Sequence, residues 1–268
     1  MTTIHVLGSN GFIGSALQRV SGDLSLHCWS HMQSDPHHHF DLLDSSSWQS
    51  LINRHPTHVI LLSWPGLPNY QESFHVTRNL PACIDLIEKL SVKGLQRLVV
   101  AGTCYEYGLQ CGQLNENQPA NPVNCYSIAK DSLRRFIENR YLQRDLQWCW
   151  ARIFYPFGEG QSKRSFVPSL ERAIGEQNLT FSMSSGRQIR DFVSVDEVAK
   201  QLLNLISHPN AKGIYNCGSG VPISLREFAE IQIAERSSSI LLKLGAFDDR
   251  DDEPLAFWAD VSRYKSLT

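Results

Sequence analysis

Short apolar runs alternate with segments of helical spacing over roughly the first 150 residues, and this alternation limits the possible folds more than any other feature. The runs at 4–7, 24–29, 58–62, 95–101 and 147–154 have the length of strands. Between them, 12–20, 46–53, 73–90 and 127–141 place apolar residues at helical intervals. Strands joined through helices pair in parallel, so the pattern predicts an α/β fold with a doubly wound parallel sheet of Rossmann type. The regularity breaks at YPFGEGQSKRSF, just after Phe154. Beyond it, helical spacing at 167–174, 195–207 and 224–234 and strand-like runs at 179–183 and 213–217 predict a small mixed lobe. The expected division is 1–155, with returning segments at about 187–217, for the sheet domain, and 156–186 with 218–268 for the lobe, the two meeting at a cleft.

With 268 residues, 42% hydrophobic and 19% charged, the chain can bury a core without metal or disulfide. A net charge of -2 gives no electrostatic reason to expect nucleic acid or an acidic membrane as partner. The 7 cysteines are scattered and form no C-x-x-C pair, which favours reduced thiols. Neither a basic leader with an apolar stretch nor a run of about 18 apolar residues occurs, so a cytoplasmic protein is expected.

IHVLGSNGFIG puts Gly8, Gly11 and Gly14 directly after the first strand and at the start of a helix. Glycine there permits the tight turn, removes the Cβ that would hold a pyrophosphate off the helix amides, and lets helix and strand pack closely. A flexible loop is the alternative. The strand before and the helix after favour a dinucleotide site over Gly8, Ser9, Asn10, Gly11, Phe12, Ile13 and Gly14. The second strand ends in Ser30 and His31, where a carboxylate would bind the ribose 2′-hydroxyl of NAD. With no acid to repel a 2′-phosphate, NADP is preferred and NAD is the alternative. The adjacent histidines 37–39 read as a solvated loop, since consecutive residues rarely point at one metal ion.

NPVNCYSIAKDSLRRF places Tyr126 and Lys130 four residues apart, on one helical face. A neighbouring ammonium favours a phenolate, so Lys130 is expected to lower the Tyr126 pKa from about 10. Such a pair alone is common on surface helices. Thr103, in LVVAGTCYEYG, closes the presumed fourth parallel strand, where sheets of this kind bind ligands, and makes the pair a candidate for proton transfer.

The G-x-x-G-x-x-G spacing, Thr103 five residues before Gly108, the Tyr126/Lys130 pair, GRQIRDFVSVDEVA and YNCGSG together resemble the extended branch of the short-chain dehydrogenase/reductase superfamily. These are the NAD-dependent epimerases and dehydratases of nucleotide sugars, and the resemblance covers nearly the whole chain. It implies Tyr126 as general acid/base, Lys130 as its tuner and ribose anchor, and Thr103 as hydrogen-bond partner of the reacting oxygen. It implies Asp41 and Leu42 at the adenine pocket, Asp41 being otherwise a turn residue, and Leu62, Ser63, Trp64 and Tyr155 along the cofactor. RIFYPFGEGQ resembles R-x-F-N-x-x-G-P with Tyr155 in place of the substrate-contacting Asn. Arg190 is expected on the diphosphate of a nucleotide sugar, which suits a guanidinium. Arg250 is a second such contact, or a solvated arginine beside Asp251 and Asp252. Asp191 and Asp196 are read as structural, holding the loop and capping the next helix.

Dehydratases of this kind carry an Asp-Glu pair directly after the Thr, where this chain has Cys104 and Tyr105, so elimination of water is disfavoured. Cys104, Tyr105 and Glu106 are placed near substrate, Glu106 either on a sugar hydroxyl or in a structural ion pair. GTCYEYG, YSIAKDSLRRF and WARIFYPFGEGQ look most like the dTDP-4-keto-6-deoxyhexose reductases of deoxysugar biosynthesis, which make dTDP-6-deoxy-talose or dTDP-fucose. The expected activity is NAD(P)H-dependent reduction of the C4 ketone of a nucleotide-linked 4-keto-6-deoxyhexose. The alternatives are a 4-epimerase with retained NAD and a non-catalytic NAD(P)-binding sensor. The resemblance also implies a homodimer through a four-helix bundle of 73–90 and 127–141, served by Leu80, Ile84, Ile87 and Leu133 unless these face their own sheet.

Overall fold

In a computed structural model, which describes residues 2–32, 35, 38–142, 146–249 and 253–267, the alternation becomes a 6-stranded sheet. Its order is Gly213–Cys217, Gln147–Ile153, Arg97–Thr103, His58–Leu61, Ile4–Leu7 and Leu26–Trp29, with every neighbouring pair parallel. Ile4–Leu7 is buried at every position and Arg97–Thr103 from Leu98 onward, so both faces need a covering layer of helices. On one face Leu86, Ile87 and Leu90 of helix Leu80–Val92 and Ala129, Leu133 and Ile137 of helix Cys125–Arg140 pack on Leu61, Leu98, Val100 and Trp150. On the other, Ala16 and Leu17 of Phe12–Val20 join Val198, Leu202 and Leu205 of Val195–Ser207 over Val6, Ile60, Val99 and Ala151. Each large aliphatic buried this way stabilises the sheet by about 1.5–3 kcal/mol.

The aliphatics expected at a helix-bundle dimer belong to this core. Ile87 and Leu133 are fully buried in it, and Leu80 and Ile84 pack against it partly buried. The expected helix 73–90 also differs in detail: a π-helical turn, His75–Asn79, precedes Leu80–Val92. Pro81 in the first turn has no N–H to donate, and the chain widens just before it.

From Ile4–Leu7 the chain crosses to Leu26–Trp29 on one side and then to His58–Leu61 on the other. At such a reversal a crevice opens outside the carboxyl ends of the strands. After Phe154, short pairs form between Tyr155–Phe157 and Phe192–Ser194, Ile189–Arg190 and Ile223–Ser224, and Thr180–Ser182 and Leu241–Lys243. Leu170, Met183 and Ala229 form a small separate core with Phe166, Phe181 and Leu225. Strand Phe257–Ala259 pairs with Gly112–Leu114, bringing the C-terminal segment beside the turn that follows Thr103. Among the described residues no helix is long and apolar enough to cross a membrane.

Candidate active site

Strand Ile4–Leu7 runs into a turn where Gly8 takes φ +93°, a left-handed conformation natural to glycine. A Cβ on Gly14 would lie 2.3 Å from the Gly8 carbonyl oxygen, so glycine alone lets the helix begin this close to the strand. Helix Phe12–Val20 starts at Gly11 with no side-chain cap, leaving the amides of Phe12, Ile13 and Gly14 to water or an anion. Ser9 is buried with its hydroxyl on the Trp29 carbonyl (3.2 Å) and 3.5 Å from Asn10 Oδ1. The amides of Leu62 and Ser63 both donate to the Leu7 carbonyl at 2.9 Å, which ties the end of the His58–Leu61 strand to the glycine turn. At the end of Leu26–Trp29, Ser30 is buried with no hydrogen-bond partner for Oγ among the described residues, and His31 stands exposed beside it. Cradle, uncapped helix and orphan hydroxyl fit a dinucleotide.

Two expectations around this site change. The Leu42 side chain is fully buried with Trp29, Phe40 and Trp48, so it cannot line an adenine pocket. Asp41 makes an Asx turn, Oδ1 accepting from the Leu43 amide (2.9 Å), while its carbonyl takes the Trp48 indole N–H (2.8 Å). Nor is His38 a free solvated ring: its Nε2 lies 2.8 Å from His27 Nε2 and its Nδ1 3.0 Å from Asp35 Oδ2. His37 lies outside the described residues.

Asn124 and Ser127 cap helix Cys125–Arg140 reciprocally and set Tyr126 and Lys130 on its inner side, 7% and 3% exposed. Thr103, the last residue of its strand, lies near enough to the Tyr126 phenol to act on its titration. Lys130 Nζ donates to the Ala101 carbonyl (2.8 Å), 3.9 Å from the centre of the Trp64 ring and 5.8 Å from that of Tyr126. Trp64 is held from behind: its Nε1 donates to His75 Nδ1 (3.0 Å), and His75 Nε2 donates to the Asn69 carbonyl (3.0 Å).

Burial pushes the Lys130 ammonium down to about 8, with Cys83 and Glu106 partly opposing. Burial pushes the Tyr126 phenol up, Tyr70, Glu106 and Cys104 add to the rise, and the Thr103 hydrogen bond opposes it. The lowering of Tyr126 expected from Lys130 is thus reversed in the protein itself, because Lys130 turns to a carbonyl and desolvation dominates. Near neutral pH Tyr126 keeps its proton.

Buried Cys104 and half-buried Tyr105 follow Thr103, the thiol pushed up by burial. Tyr105 stands edge-on to Tyr70 and Tyr155, with ring centres at 5.3 and 6.2 Å. Tyr155 Oη lies 3.5 Å from Tyr105 Oη and 3.4 Å from Glu253 Oε2. Arg190 is buried; its Nη2 meets Glu253 Oε2 at 2.9 Å, its Nη1 donates to the Ile189 carbonyl at 2.9 Å, and its guanidinium lies 4.8 Å from the Phe257 ring. The charge expected for a diphosphate is therefore met inside the chain by Glu253. Arg250 lies outside the described residues.

A family model described as the NAD dependent epimerase/dehydratase family matches residues 4–218, from the first strand through the Arg190 segment. The chain belongs to this family. It is 30% identical over 201 residues to a dTDP-6-deoxy-L-talose 4-dehydrogenase (NAD(+)) of Aggregatibacter actinomycetemcomitans, covering 75% of this chain and 74% of that protein. It is 27% identical over 246 residues to a GDP-6-deoxy-D-mannose reductase of Pseudomonas aeruginosa, covering 85% and 78%. A UDP-N-acetylglucosamine 4-epimerase from Methanobrevibacter ruminantium M1 shares the fold with a TM-score of 0.84 at 21% identity, over 100% of this chain and 92% of that one.

Within this epimerase/dehydratase-family chain, Asp191 has the structural role read from the sequence. Its buried carboxylate accepts from the Ser219 amide (2.8 Å) and hydroxyl (2.6 Å) and from the amides of Gly220 (2.9 Å) and Ala259 (3.1 Å). The expected cap differs: Ser194, not Asp196, accepts from the Glu197 amide (3.2 Å), while Asp196 pairs with Arg19 at 2.7 Å. Glu106 is 0% exposed and forms the ion pair rather than a sugar contact, Oε2 meeting Arg152 Nε at 2.9 Å. Sequence reasoning missed Arg152, His75, Tyr70 and Glu253. Arg152 carries a usable signal, since an arginine within the apolar run WCWARIF demands a buried partner.

Proposed function

We propose that this protein reduces the C4 ketone of a nucleotide-linked 4-keto-6-deoxyhexose with NAD(P)H. One observation carries the reading: Tyr126 is buried with Lys130 Nζ 5.8 Å from its ring centre and Thr103 at the end of its strand, and Cys104 and Tyr105 stand where elimination would need two carboxylates. When bound, the nicotinamide supplies a hydride to C4. Thr103 and Tyr126 hold the ketone oxygen; as the carbonyl electron pair moves onto that oxygen, Tyr126 delivers its proton. Lys130 stabilises the phenolate left behind until solvent reprotonates it.

In this reading the Gly8–Gly14 turn and the free amides of Phe12 and Ile13 hold the pyrophosphate, and Lys130 the nicotinamide ribose. Ser30 and His31 meet the adenosine ribose, where the absence of an acid favours NADPH over NADH. Tyr105 and Tyr155 flank the sugar, and Arg190 takes the diphosphate by exchanging Glu253 for it. The names of the talose dehydrogenase and the deoxymannose reductase support a 6-deoxyhexose as the reacting sugar.

The test is NADPH or NADH oxidation by the purified protein with dTDP-4-keto-6-deoxyglucose. The expected result is substrate-dependent oxidation, faster with NADPH. Tightly held NAD with interconversion of C4 epimers and no net oxidation would establish the epimerase instead.

A further inference from the structure

Thr103 caps a short helical turn, Cys104–Tyr107, and Glu106 lies at its third position, where the two residues form a reciprocal box. The Glu106 carboxylate is fully enclosed. Its Oε1 accepts from the Thr103 amide (3.0 Å) and the Trp150 indole N–H (2.8 Å), and its Oε2 accepts from Arg152 Nε (2.9 Å). Trp150 and Arg152 come from the adjacent strand, in which Arg152 stands opposite Gly102 and Ile153 opposite Thr103. In the other half of the box Thr103 Oγ1 accepts from the Tyr105 amide at 3.3 Å, which leaves its own proton to point elsewhere. Strand end, turn and hydroxyl orientation therefore share one anchor.

A neutral acceptor would serve such a turn, and a buried ion pair is weak evidence for stability, so the charge calls for another account. The Glu106 charge pairs with Arg152 from the neighbouring strand and acts on Tyr126 and Lys130 of helix Cys125–Arg140 and on Cys104 of its own turn. Arg152 also lies 4.4 Å from the Tyr107 ring centre, and its Nη1 has no hydrogen-bond partner among the described residues. We propose that Glu106, held by Arg152, is a positioning residue that aims Thr103 and sets a negative charge behind the proton-delivering pair Tyr126 and Lys130. The inference rests on the reductase reading.

Turnover by the wild type comes first, since its absence removes the reductase reading and says nothing against the Glu106 geometry. Given turnover, Glu106→Gln keeps an acceptor for Thr103 but removes the charge. Without it the protonated forms of both Tyr126 and Lys130 are less favoured, so the alkaline limb of kcat/KM moves to lower pH by about one unit. Arg152→Gln leaves the carboxylate uncompensated and moves the limb upward, an opposition that a purely structural role does not produce. Glu106→Leu with Arg152→Met replaces the pair by apolar side chains and leaves neither charge unpaired. Its kcat is expected to fall on the order of 100-fold, with KM changed less than about 3-fold. NADPH quenching of tryptophan fluorescence reports that each variant is folded. Wild-type kcat in the folded double variant, or an unshifted profile in Glu106→Gln, overturns the proposal. A loss confined to KM would also overturn it.

Discussion

In the proposed reduction Tyr126 is the proton donor, and burial and its neighbours push its phenol pKa up. Removing the hydroxyl should therefore abolish proton delivery and little else. Tyr126→Phe is expected to lower kcat by about 10²–10⁴-fold while NADPH affinity, read by fluorescence titration, stays within about 3-fold. Full activity in this variant would exclude the assignment. At the other end of the substrate wall, Glu253 holds Arg190 at 2.9 Å with the charge a diphosphate would have to displace. Glu253→Gln weakens that hold, and the KM for the nucleotide sugar is expected to fall about 3- to 10-fold. A raised KM would show that Glu253 itself contacts the substrate.

Helix Phe12–Val20 can sit against the first strand only while position 14 lacks a Cβ. Gly14→Ala forces backbone to move from backbone, so cofactor affinity is expected to drop at least about 10-fold, with about 1–3 kcal/mol lost from stability in denaturant titration. Unchanged affinity would separate this helix start from the cofactor. The same stretch explains why so much of the fold is legible: Ile4–Leu7, Phe12–Val20, Val195–Ser207 and Gly213–Cys217 keep the bounds expected, since local periodicity and burial agree there. Helix 73–90 divides because Pro81 overrides the pattern. The glycine turn and the Tyr126/Lys130 pair are local motifs and can be read as such. Glu106 with Arg152, Trp64 with His75 and Arg190 with Glu253 join residues 46, 11 and 63 positions apart, and no spacing rule brings such partners together before the sheet does. The reversed shift of Tyr126 belongs to the same class, because desolvation is a property of the assembled site.

The assembled molecule also buries a histidine near the free edge of its sheet. His5 is 5% exposed and accepts from the Trp29 indole at 3.1 Å; burial first, then His27 and Arg54, push its pKa down to about 4. In the unfolded chain it titrates near 6.5. The unfolded state thus takes up the proton first as pH falls, so this contribution is complete above about 6.5 and is lost toward about 4, on the order of 3 kcal/mol in all. His27, His58 and His75 are shifted in the same direction. The urea midpoint is expected to fall between about pH 7 and 5, less steeply in His5→Gln, and a flat midpoint would contradict this. The cradle at Gly8–Gly14 and the Thr103, Tyr126 and Lys130 set both stand at the carboxyl ends of the sheet strands. The most direct measurement of their purpose is isotope transfer, with NADPH deuterated at the transferable position and a nucleotide-linked 4-keto-6-deoxyhexose. The account predicts a product carrying one deuterium at C4 per NADPH oxidised; an unlabelled product, or epimers formed without consumption of NADPH, would contradict it.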